Sequence, residues 1–145
     1  AIWLKEQGVT RVMLHSRDWT NETRDIFTSI NIEPVTCGDM FDPEYLFRFA
    51  AIVAKADRVT SNVVSTAVFY AVHYGCEVKV AGPPTRTIPS DWYDVEASDP
   101  AWLRHNYPSL LEWGIDTALA NEQLGVAHKQ KPDELFDTLF GGAKC

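Results

Sequence analysis

The chain has 145 residues, 46% of them hydrophobic, 12% aromatic and 23% charged, with 20 Asp and Glu against 13 Lys and Arg. That composition excludes disorder as the main state, and a chain this long buries roughly two thirds of its unfolded surface without metal or disulfide staples. The net charge of −7 leaves no basic stripe, which argues against a nucleic-acid or anionic-membrane partner. Cys37, Cys76 and Cys145 stand far apart, in no C-x-x-C or Cys/His spacing, so reduced thiols and no metal site are expected. With no run near the roughly 20 apolar residues of a membrane span and no recognisable signal peptide, the expected location is cytoplasmic. The chain opens at Ala1 already in a helical pattern, which suggests a fragment of a larger protein.

In chain order, residues 1–7 read as a helix closed by Gly8, and 9–15 (V-T-R-V-M-L-H) as a strand. A second helix is expected over 19–30, capped by Thr20 or Asn21, with Ile26, Phe27 and Ile30 on its apolar side and Asn31 stopping it. Residues 32–36 form a short strand ending at Cys37-Gly38-Asp39. Pro43 then suits the first turn of a helix to about Lys55, with Leu46, Phe49, Ala50 and Val53 as its buried stripe. Strand 58–61, an apolar helix over 62–74 stopped by Gly75, and strand 77–81 follow, broken by Gly82-Pro83-Pro84. Alternation of this kind predicts an α/β fold: a Rossmann-like parallel sheet flanked by helices. After Pro84, residues 85–100 read as a loop, and helices near 101–105, 108–124 and 132–140 form a helical C-terminal tail. The expected organisation is a core over 1–84, with 85–145 packing on the same domain.

Ligands of open parallel sheets bind beyond the carboxyl ends of the strands, which selects four loops. These are His15-Ser16-Arg17-Asp18, Thr36-Cys37-Gly38-Asp39, Thr60-Ser61-Asn62 and Ala81-Gly82-Pro83. In the third, hydroxyl and amide side chains crowd a strand-to-helix turn where free N–H groups and the helix dipole favour a phosphate. The plainer alternative is that Ser61 or Asn62 only caps the helix. His15 and Arg17 suit a phosphate or carboxylate, although Arg17 has Asp18 and Asp39 as alternative partners. His73 reads as a core or interface histidine, and Cys37 and Cys76 as buried thiols. One of Asp39 and Asp42 is expected to cap the Pro43 helix; ribose hydroxyls are their other possible partner. The dinucleotide fingerprint G-x-G-x-x-G and the P-loop are absent, which removes the NAD dehydrogenase and NTPase readings, and there is no G-x-S-x-G elbow or Ser/His/Asp arrangement.

The stretch Asp57 to Gly82, D-R-V-T-S-N-V-V-S-T-A-V-F-Y-A-V-H-Y-G-C-E-V-K-V-A-G, resembles the C-terminal, donor-binding half of GT-B fold glycosyltransferases of bacterial capsule and surface-polysaccharide synthesis. The Leu14-His15-Ser16-Arg17 strand end is similar to the family's His-containing loop, with Ser16 where Pro is common, and the tail from Leu124 through Gly141 resembles the closing helix. The resemblance covers most of residues 1–82. It implies a nucleotide-sugar site lacking the first strand and the acceptor domain, with activity only in a completed enzyme. On that resemblance Ser61, Asn62, Ser65 and Thr66 would contact the donor phosphates, Thr36, Cys37 and Gly38 would lie beside the base, and His15 and Arg17 near the donor's charged part. The implied partner is a nucleotide sugar, with no metal or other cofactor; no catalytic base is assigned. The alternative is a noncatalytic Rossmann-like module that self-associates or binds a partner through Trp92, Tyr93, Trp102, Tyr107 and Trp113.

Overall fold

The structure, a computed structural model, describes residues 1–83 and 99–128. The chain divides into two compact units, Ala1–Asp57 and Arg58–Cys145. The expected helix over 132–140, most of the expected loop over 85–100, and Trp92, Tyr93 and Cys145 lie outside the described residues.

The first unit runs α1 (Ile2–Glu6), β1 (Arg11–Leu14), a single 3₁₀ turn at Ser16–Asp18, α2 (Asn21–Thr28), β2 (Glu33–Thr36) and α3 (Tyr45–Val53). α1 ends because Gly8 takes φ +72°, a left-handed conformation that glycine adopts without strain. Thr20 caps α2, its Oγ1 accepting the Thr23 N–H at 3.1 Å. The helix returns the chain to β2 through Asn31 at φ 61°. β1 and β2 pair in parallel, Arg11 opposite Glu33 through Leu14 opposite Thr36. Glu33 N–H donates to Thr10 O, so the next residue, Pro34, turns its donorless nitrogen to the outer edge, where proline is tolerated in a strand. Ile32, Cys37, Phe49 and Val53 are this unit's buried apolar side chains. Leu46, expected on a buried stripe, stays out of the core at 50% exposed, and Ile26, on the expected apolar side of α2, is 49% exposed.

The second unit runs β3 (Arg58–Ser61), α4 (Thr66–His73), β4 (Glu77–Val80), α5 (Pro100–Asn106), a 3₁₀ turn at Pro108–Leu110, α6 (Thr117–Gln123) and a last 3₁₀ turn at Val126–His128. β3 and β4 are parallel, Arg58 opposite Glu77 through Ser61 opposite Val80, and Ala81 N–H to Ser61 O extends the ladder by one bond. On the other edge of β4, Val78 N–H reaches Gly114 O at 2.8 Å. α4 packs against both strands and against α6, which explains its apolar sequence: Val68, Phe69, Ala71 and Val72 are all buried. Cys76, Val78, Val80, Leu103, Leu110 and Ala120 complete the core among the described residues. Burial at this density is what holds a unit of this size together, at about 1.5–3 kcal/mol per large apolar side chain.

The protein is therefore mixed α/β with parallel strands flanked by helices, each strand pair belonging to its own unit. Three local expectations are corrected. The helix expected over 62–74 begins at Thr66, because Ser61 Oγ bonds both the N–H and the carbonyl of Val63 and so holds residues 61–63 in a turn that competes with helix. The helix expected over 108–124 is broken: Gly114 is drawn into pairing with β4, and Asp116 starts α6 by accepting the Leu119 N–H at 3.0 Å. His73 is an exposed residue at the end of α4, its Nδ1 3.4 Å from Asn121 Oδ1, not a core histidine.

Candidate functional site

The residues singled out from the sequence lie at strand ends in both units. In the first unit, β1 and β2 end in register, so residues 15–18 and 37–39 follow neighbouring strand ends. His15 is exposed and its Nδ1 accepts the Arg17 N–H at 3.1 Å, closing the 3₁₀ turn; a neutral ring accepting there carries its proton on Nε2. Arg17 is exposed and, among the described residues, forms an ion pair with neither Asp18 nor Asp39. Thr36 Oγ1 accepts the Gly38 N–H at 3.1 Å, and Gly38 takes φ +82°, so the chain turns sharply away from β2.

The loop after β2 is organised by Arg48. From α3 its Nε donates to Cys37 O at 2.7 Å and its Nη2 to Asp42 Oδ2 at 2.7 Å, with Glu44 3.8 Å from Nη1. A side-chain carbon at Gly38 would stand 3.1 Å from Nη2. Asp39 and Asp42 do not cap α3. Each folds back on the loop, Asp39 Oδ1 accepting the Phe41 N–H and Asp42 Oδ1 the Glu44 N–H, while Glu44 takes the cap position without a side-chain bond. The Glu44 N–H and then the Arg48 guanidinium hold the Asp42 carboxyl below the ordinary carboxylate range. Burial raises the Cys37 thiol, partly offset by Arg48, and the thiol sits 3.5 Å from the Met13 sulfur. Such a thiol is a packing group rather than a nucleophile. Arg48 escaped the sequence reading, yet it left a signal: it is the one charged residue in Tyr45–Val53.

In the second unit, Ser61 and Asn62 are not the cap of α4. Ser61 is engaged with Val63, and Asn62 Nδ2 donates to Pro83 O at 3.1 Å, tying the loop after β3 to the loop after β4. Gly82, at φ +122°, permits that second loop to turn. Ser65 takes the cap position, but its side chain makes no cap hydrogen bond. Ser65, Thr66 and Ala67 are exposed. The first N–H groups of a helix have no partner within it, so the start of α4 presents backbone donors, two hydroxyls and the positive end of the dipole together.

Among the described residues, no group of three His, Cys, Asp or Glu side chains is placed to hold a metal, and no helix is long and apolar enough to cross a membrane. An open depression of about 430 Å³ beside α6, lined by Asn121, Glu122, Val126 and His128 among others, includes none of the expected ligand residues. Of the aromatic residues that the alternative module reading places in a binding patch, Trp102 and Tyr107 are half-buried, their rings 5.4 Å apart, with Phe69 5.9 Å from Tyr107. Trp113 lies under the Arg58 guanidinium. No family model, curated protein or solved structure matches the chain.

Proposed function

We propose that the chain is the nucleotide-sugar-binding part of a cytoplasmic glycosyltransferase of surface-polysaccharide synthesis, with the donor phosphates seated at the start of α4. The observation that carries this reading is the uncapped helix start after a parallel strand: Ser65 and Thr66 are exposed there, and no cap bond occupies the Ser65 hydroxyl. A phosphate at this position would accept from the first backbone N–H groups of α4 and from both hydroxyls, and the helix dipole adds to the attraction. During transfer, the same donors would stabilise charge developing on the departing nucleotide phosphate. Ser61 and Asn62 support the seat indirectly, by bonding Val63 and Pro83 and so fixing the loop that leads to it.

The test is thermal unfolding with uridine, cytidine, guanosine and thymidine mono- and diphosphates and their sugars. At a ligand concentration one hundred times its Kd, binding to the folded chain adds about 2.7 kcal/mol of stability. One nucleotide should raise the midpoint in the parent chain and fail to do so in Ser65→Ala/Thr66→Val. A midpoint indifferent to every nucleotide, or a rise that survives the double substitution, refutes the assignment.

A further inference from the structure

The solvent side of α3 is apolar along its length. Leu46 is 50% exposed and Phe47 76%, Ala51 and Ala54 are also exposed, and in the preceding turn Met40 is 58% and Phe41 85% exposed. The helix has one charged residue, Arg48, and its guanidinium is bound to Cys37 O and Asp42, with the 76%-exposed Glu44 carboxylate 3.8 Å away. A helix that is apolar on all sides is one that is covered on all sides. Clustered large apolar side chains on a surface mark an interaction face.

Charge and size along this face specify its occupant. Glu44, Phe47, Ala51 and Lys55 recur every three to four residues, hence lie on one face, and backbone bonds of the helical kind continue to Lys55 and Ala56. The face is negative at its start and positive at its end, large at Phe47 and small at Ala51 and Ala54. Laid antiparallel on a copy of itself, it sets Phe47 against Ala54, Ala51 against its own equivalent and Glu44 against Lys55. A two-fold axis beside Ala50 and Ala51 sets Phe47 opposite Ala54, Ala51 within one residue of its equivalent and Lys55 within two residues of Glu44, a rise of about 3 Å that the long Glu and Lys side chains span. The small residues at the axis allow the close helix approach that such a pair needs. We infer that α3 forms a two-fold antiparallel interface with α3 of a second copy of this chain, anchored by Phe47 with Phe41 and registered by Glu44–Lys55 pairs. This rests on the first unit alone and stands independently of nucleotide binding.

Sedimentation velocity of the full chain over a concentration series tests it. The parent chain is expected to dimerise, and Phe47→Glu to weaken dimerisation at least about tenfold, as loss of a central aromatic anchor does, with unchanged far-ultraviolet circular dichroism. Glu44→Lys and Lys55→Glu each place like charges together twice per dimer, so each alone should dimerise less than the parent. Their equimolar mixture restores opposite charges at both contacts and should form a heterodimer tighter than either homodimer. This recovery does not depend on how Phe47→Glu folds. A parent chain monomeric throughout the series, a dimer indifferent to Phe47→Glu, or a mixture no tighter than its components overturns the inference.

Discussion

Replacing Gly38 by alanine tests how the loop after β2 is held. Two costs are separable. An L side chain at φ +82° strains the backbone by about 1–2 kcal/mol, partly offset because alanine restricts the unfolded chain by about 0.4–1 kcal/mol. The new carbon would also stand 3.1 Å from Nη2 of Arg48. The guanidinium must give by a few tenths of an ångström, loosening its 2.7 Å bonds to Cys37 O and Asp42. Together these predict a loss of about 1–2 kcal/mol, hence a fall of roughly 2–8 °C in midpoint for a chain of this size. Gly8 is the control: its φ is +72° and its would-be side chain meets nothing within 4 Å, so Gly8→Ala carries only the backbone cost. Urea unfolding of both variants in the parent and Arg48→Met backgrounds isolates the contact as a coupling energy. Gly38→Ala should cost more than Gly8→Ala in the parent, and the excess should vanish with Arg48→Met. An unchanged midpoint for Gly38→Ala, or an excess that persists without the guanidinium, refutes the reasoning.

Helix caps give a second contrast. Thr20→Ala and Asp116→Ala each remove a side-chain acceptor from a helix start and should cost about 1 kcal/mol. Ser65→Ala removes none and should leave urea stability unchanged while weakening nucleotide binding; a Ser65→Ala loss equal to the other two would show that Ser65 serves the helix and not a ligand. Asp42 predicts a pH dependence. Because its folded carboxyl lies below the ordinary range, the stabilisation it supplies is complete above the unfolded value of about 3.9 and is lost as pH falls through the folded one. Asp42→Asn should therefore be less stable than the parent at pH 7 and approach it below pH ~4; a gap independent of pH in paired urea titrations contradicts this.

Much of the fold is legible because its signals are local. Gly8, Thr20, Asn31 and Gly75 punctuate the chain where their conformations require it, and the strand expected over 58–61 is β3 to the residue. What escaped depends on bonds that compete with the helix pattern, one local and one tertiary. A hydroxyl bond from Ser61 to Val63 delays α4, and Gly114 is taken up by Val78. Neither competition has a periodic signature. Leu46 fits a buried stripe by spacing and is half exposed, since periodicity marks an apolar face without saying what lies on it. At the site, the sequence identified the loops and the polar residues in them. It did not distinguish residues that bond their own loop, Ser61, Asp39 and Asp42, or a neighbouring one, Asn62, from Ser65 at the uncapped helix start. Arg48 went unread because its role depends on a bend in the chain at Gly38.

The start of α4 as a phosphate seat is tested most directly by amide-resolved NMR during titration with nucleoside diphosphates. The account predicts that one of them shifts the Thr66 and Ala67 amides saturably, by direct donation to its phosphates, and that inorganic phosphate shifts the same amides more weakly. Unmoved Thr66 and Ala67 amides with all four nucleoside diphosphates, or saturable shifts confined to other parts of the chain, would contradict it.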